Sequence, residues 1–169
     1  MFGRERFRVG GEPPIFPTMI DDLYSTRILT LAANLPHAGR LPTPDGTGER
    51  TAKLCGSRAT ADVTLDDQGR VSGFAQDVKA CALGQAAAGV LGQHVLGASI
   101  QDIQVARDAM IAMLKSGGDG PTGRFEDLRL LKQVADYPAR HASTLVSLEA
   151  TLEAMTNALT ARTRLAGAA

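Results

Sequence analysis

The sequence has no tryptophan, and its aromatic content is only 4%. Platforms that stack unpaired bases are therefore hard to build from it. It has no excess of either charge, since 18 Lys and Arg balance 18 Asp and Glu. That excludes a chain-wide electrostatic footprint for nucleic acid and leaves room only for a local patch. No apolar run approaches the ~20 residues that a membrane-spanning helix needs. Residues 1–18 carry Arg4, Arg6 and Arg8 without the apolar stretch of a signal peptide. Cysteine is scarce: Cys55 and Cys81 are the two in the chain. Two cannot form a disulfide framework, so a reducing cytoplasm is the expected setting. A single Cys55–Cys81 disulfide is the alternative a secreted chain would use. The G-x-S-x-G, P-loop and H-E-x-x-H patterns that would favour hydrolase or nucleotide chemistry are missing.

What is present is enough apolar residue, 44% of 169, for one folded core. Residues 1–18 hold Gly10-Gly11, Pro13-Pro14 and Pro17 without periodicity and read as a flexible extension, or as residues before a start at Met19. Residues 19–162 read as one domain, and 163–169 as a frayed tail. Asp21 or Asp22 is positioned to cap a helix through Leu23, Tyr24, Ile28, Leu31 and Ala32. Residues 34–48 read as a loop rich in Pro and Gly. Short strands are expected at 50–54, 59–65 and 71–78, the last two joined at Asp66-Asp67-Gln68-Gly69. Antiparallel pairing across that turn brings residues near 57 and 79 together. Helices are expected from Cys81 to Val95, from Ile100 to Lys115 with Ser99 as cap, from Arg124 to Ala135, and from about Arg140 or Ala142 through Leu159. The fold class is α+β, a small antiparallel three-stranded sheet packed against helices.

Three residues stand out chemically. Cys55 precedes a glycine that lets the backbone come close to an ion or a partner. Cys81 opens a helix, where free N–H groups and the positive end of the dipole favour thiolate. His141, near the start of the last helix, offers an imidazole ligand. Cys55, Cys81 and His141 are expected to converge on one metal ion or sulfur-handling site. Such a set is one short of the four ligands that tetrahedral zinc takes. Ser57 is placed to hydrogen-bond a thiolate, and Lys79 and Arg140 bracket the site. His37 and His94 have weaker claims, as a loop-ordering and a surface residue.

The order of Leu54-Cys55-Gly56, Ala80-Cys81-Ala82 and His141-Ala142-Ser143-x-Leu145 resembles the U-type iron–sulfur cluster assembly scaffolds, the family of IscU, SufU and the NifU N-terminal domain. Asp22-Leu23-Tyr24-Ser25-x-x-Ile28, Pro36-His37-Ala38-Gly39 and Asp67-Gln68-Gly69-Arg70-Val71-x-x-Phe74 are similar to its opening helix, the loop after it and the turn before its second cysteine. The resemblance spans roughly residues 19–160. It implies a scaffold that receives sulfur from a cysteine desulfurase, binds iron or a labile [2Fe–2S] cluster, and passes it to acceptor proteins. Zinc is a further metal it allows, and it leaves a homo-oligomer open. Two departures stand out. The family's Cys-Gly-Asp is Cys55-Gly56-Ser57 here, so a carboxylate is missing. Its third cysteine falls on Ala142 in an ungapped alignment, or near Ser143 when Pro138-Ala139-Arg140 is aligned. Two alternatives follow: a persulfide acceptor partnering a desulfurase, and a zinc-binding adaptor that has lost cluster assembly.

Overall fold

The computed structural model describes residues 24–168. The expected extension at 1–18 and the caps Asp21 and Asp22 lie outside them. Helix α1 (Thr26–Ala33) takes Ser25 as its cap, whose hydroxyl accepts from the Ile28 N–H. Tyr24 packs against the core just before it. Three strands follow, β1 (Gly46–Ala52), β2 (Ser57–Leu65) and β3 (Val71–Lys79), in an antiparallel sheet of order β1-β2-β3. Helices α2 (Ala82–His94), α3 (Ile100–Ser116) and α4 (His141–Gly167) complete the α+β fold, with a run of 3-10 turns at Gly123–Asp136 between α3 and α4.

The hairpin turn forms as its sequence dictates. Asp66 Oδ1 accepts from the N–H groups of Gln68 and Arg70, and Gly69 supplies the positive φ of 77°. Helix α3 carries a full capping box, with Ser99 and Asp102 each satisfying the other's backbone N–H.

Three segments depart from expectation. β1 begins at Gly46, inside the stretch that reads as loop, and ends at Ala52. Its glycines are there because α4 lies directly on it. A Cβ on Gly46 would press on Ala154 O and Ala158 N, and one on Gly48 on Ala150 O and Ala154 N. Ala150, Ala154 and Ala158 recur every four residues and form one smooth strip of the helix. The second departure is Gly123–Asp136, which is 3-10 rather than α, with a break at Phe125. Its buried residues are Phe125, Leu128, Leu131 and Val134. That strict spacing of three matches a helix of three residues per turn. The third is the C-terminus, which stays helical to Gly167 where a frayed tail is expected from 163. The Arg162 guanidinium donates to the carbonyls of Leu65 and Asp66, tying α4 to the hairpin turn.

The outer edge of β3 is covered. Gln76 N–H donates to His37 O, and Gly39 N–H to Gln76 O. His37 adopts a φ of 58° and sets its ring edge-on to Phe74, 6.0 Å between centroids. The buried Gln76 amide also donates to Pro36 O and Ala88 O, fastening this loop to α2.

On β2, Asp62 is fully buried. It accepts from Arg40 Nε at 2.7 Å, the Leu41 N–H and the Thr47 hydroxyl. Burial pushes its pKa up, but these donors outweigh burial and hold the carboxyl below the usual range.

Candidate functional site

The turn between β1 and β2 spans residues 53–56 and closes with Gly56 N–H donating to Ala52 O. Gly56 has a φ of 71°, a conformation that any Cβ would strain. Cys55 sits exposed on this turn. The expected pairing at the sheet end is present, with Arg58 opposite Lys79. Two residues later Cys81 is the half-buried N-cap of α2.

The two cysteines, both free thiols, are joined by two serines. Cys55 Sγ donates to Ser57 Oγ at 3.2 Å. Ser57 Oγ donates to Ser143 Oγ at 3.2 Å. Ser143 Oγ lies 3.1 Å from Cys81 Sγ. With Cys81 as thiolate, every hydroxyl in this row donates in the same direction, toward Cys81. Ser57 therefore accepts from the Cys55 thiol and passes its own hydrogen to Ser143, rather than donating to a thiolate. Burial pushes the Cys81 thiol up, but the Ser143 hydroxyl, the Gly84 and Leu83 amides and the Arg140 guanidinium together bring it below the ordinary thiol range. The same contact raises the pKa of Arg140.

Two further residues build this site. Ser143 is one, reached in the sequence only as the second of two alignments of the missing cysteine, since alignment on the histidine falls on Ala142. Ala142 is instead exposed and lines a cleft of about 610 Å³ with His141, Leu145 and Glu149, whereas Ser143 is buried against the thiols. Gly84 is the other. A Cβ there would lie 2.7 Å from Ser143 Oγ, so only glycine lets α4 bring that hydroxyl to the start of α2. The signal for Gly84 is its place one turn into the helix that Cys81 caps.

His141 does not join the thiols. Its ring is buried, and Nε2 lies 2.9 Å from Val134 O and 3.2 Å from Ala135 O. Two carbonyl acceptors require that Nε2 carry the proton. The side chain therefore fastens the end of the 3-10 segment to the first turn of α4. Among the described residues, no three His, Cys, Asp or Glu side chains gather to hold a metal ion. The expected three-ligand convergence is thus not assembled here; a thiol pair bridged by hydroxyls stands in its place. His94 lies 3.5 Å from Asp127 at the surface, and His37 serves its loop, as their sequence settings imply.

The sequence pattern of the NifU-like N-terminal domain family matches residues 23–144. No curated protein sequence matches the chain. Among solved structures, a nitrogen-fixing NifU-like protein (N-terminal) from Brucella abortus is 44% identical, with a TM-score of 0.81 over 85% of this chain and 99% of its own. A candidate iron–sulfur cluster assembly scaffold protein for the SUF system from Fervidobacterium islandicum shares the fold at 18% identity, with a TM-score of 0.72 over 80% of this chain and 98% of its own. A further protein described as hypothetical shares it at 19% identity and a TM-score of 0.68, over 80% of this chain and 98% of its own.

Proposed function

The chain belongs to the NifU-like N-terminal domain family, and from that premise we propose that it is an iron–sulfur cluster assembly scaffold or carrier. Cys55 and Cys81 are its two protein ligands for a labile [2Fe–2S] cluster, which is cargo. The observation that supports this most directly is the depressed thiol of Cys81, linked through Ser143 and Ser57 to Cys55. Thiolate is the form that binds iron and accepts sulfur. Two thiolates are half the usual complement of four. A partner cysteine, glutathione or the thiol pair of a second copy completes it, and an incomplete protein shell suits a cluster meant to leave. On this reading a cysteine desulfurase supplies sulfur, an acceptor protein removes the cluster, and the chain works in a reducing cytoplasm without catalytic turnover of its own. No helix among the described residues is long and apolar enough to cross a membrane.

The test is anaerobic reconstitution with ferrous iron, cysteine, a cysteine desulfurase and glutathione, followed by iron, acid-labile sulfide and visible absorbance. The protein is expected to take up a cluster, and Cys81→Ala to take up none. Equal uptake by both would overturn the reading. The lowered Cys81 thiol also favours a second reading, a persulfide acceptor. There the thiolate attacks the outer sulfur of the desulfurase persulfide. That breaks one S–S bond, forms another and leaves the desulfurase as thiolate. Intact-mass analysis showing one added sulfur on Cys81, with no bound iron, selects this alternative. A zinc adaptor draws less from the geometry, because zinc sites hold three or four protein ligands and, among the described residues, no three His, Cys, Asp or Glu side chains gather.

A further inference from the structure

The two edges of the sheet differ. At β3 the backbone groups of Gln76 point outward and are met by His37 O and the Gly39 N–H. Gln76 stands opposite Ala61, and Ala61 opposite Gly48. Backbone groups alternate in direction along a strand, so those of Ala61 and Gly48 face each other, and those of Thr47, Glu49 and Thr51 point away from β2. At one end of this outer edge Asn157 Nδ2 donates to Thr47 O at 2.8 Å. Among the described residues, no hydrogen bond reaches the N–H or C=O of Glu49 or Thr51, and both residues are exposed. Arg50, between them, projects to the opposite face and lies 3.2 Å from Glu153 of α4. An open strand edge is a template for another strand.

We propose that this edge of β1 pairs with the same edge of a second copy, antiparallel, about a two-fold axis at Arg50. The open groups select both the partner and the register. With Glu49 opposite Thr51 of the other copy, and Thr51 opposite its Glu49, the free N–H and C=O groups of each copy are satisfied by those of the other, and Asn157 keeps Thr47 O. Setting Glu49 against Glu49 would oppose like charges and would need Thr47 O, which is taken. In the selected register the two Arg50 side chains meet at the axis, each beside its own Glu153, so the charges alternate and cancel. A strand of a different protein has no such built-in match of groups and charge. Cys55 lies five residues from Arg50, and the paired strands run oppositely. At about 3.3 Å per residue, the two thiol sites then stand roughly 30 Å apart. A second copy held in this way cannot complete the cluster shell and leaves that to a partner cysteine or glutathione. The pairing itself does not depend on the two-thiol reading.

The test is sedimentation equilibrium of the full chain in reducing buffer from about 10 µM to 1 mM, the range of a small, transient interface. Monomer is expected to pass to dimer, and the amide exchange of Glu49 and Thr51, followed by NMR, to slow as it does. Thr51→Pro removes an N–H that its own sheet does not use, at an edge where proline is tolerated. It is expected to weaken the dimer by about tenfold or more while shifting Tm by less than about 2 °C. Arg50→Glu makes every charge at the axis negative and should weaken the dimer as well, and combining it with Glu153→Arg should restore it. A chain that stays monomeric at about 1 mM overturns the proposal. So does a dimer indifferent to both Thr51→Pro and Arg50→Glu, which would use another surface. Slow exchange of both amides in a monomer would put a segment of the same chain on the edge, and fast exchange in a monomer would leave the edge to a different protein; either result overturns the proposal.

Discussion

At the scale of single residues, Ser143 decides the character of the site. Its hydroxyl is the first group to oppose the burial of Cys81, and it is the link toward Cys55. Ser143→Ala is expected to move the pH midpoint of Cys81 alkylation upward, toward the ordinary thiol value of about 8.5. The check is the iodoacetamide rate against pH, with Cys55→Ser as background. Gly84→Ala should act in the same direction by displacing the same hydroxyl. Restoring a third thiol separates the two alignments of the last motif. Ser143→Cys places sulfur beside Cys81 and Ser57, so it should increase cluster retention in reconstitution. Ala142→Cys faces the cleft and should not. Equal gains from both would show that α4 turns about its axis in solution. His141→Ala should lower Tm by a similar amount with and without added zinc, because the ring holds Val134 O rather than an ion. A loss of stability seen only in the zinc-loaded protein would return His141 to the ligand set.

At the scale of elements, legibility followed locality. Ser99 and Asp102 lie three residues apart, and their capping box can be read directly. The hairpin from Asp66 to Arg70 is equally local, and its register carries Arg58 to Lys79. The start of β1 was not legible, because the reason for Gly46 and Gly48 lies on α4, about a hundred residues later. Glycines of that kind look like loop residues until their neighbour is known. The 3-10 segment was half legible: the strict spacing of Phe125, Leu128, Leu131 and Val134 was in view, and it was read as α. The meeting of residues 58 and 79 at the sheet end could be read from the sequence, while the serine bridge could not, since Ser57 and Ser143 are 86 residues apart. Gly48→Val is expected to destabilise by about 3 kcal/mol or more, the upper range of overpacking, because it meets backbone that cannot step aside. Urea denaturation measures this, and a loss below about 1 kcal/mol would mean that α4 lifts from β1 without cost.

Across the whole molecule, the ion pair at Asp62 involves a fully buried carboxylate, and it ties the loop at Arg40 and Leu41 to the sheet. Its folded pKa is lowered, so its stabilisation is present above the unfolded carboxylate value of about 3.9 and is lost as pH falls below it. Asp62→Ala should cost about 2–3 kcal/mol at neutral pH. The difference from the parent should shrink in acid, read as the midpoint of urea unfolding at pH 7 and pH 3. A difference that persists undiminished at pH 3 would place the stabilisation elsewhere. The bridge from Ser57 to Ser143 has a further consequence, measured in time. Synthesis runs at about 5–20 residues per second, so the second serine emerges roughly 4–17 s after the first. Once Cys81 has been made, in the later part of that interval, both thiols exist, but the hydroxyl and guanidinium that turn Cys81 into a thiolate do not. A nascent chain therefore carries two ordinary thiols, and loading has to wait until α4 has come down on β1.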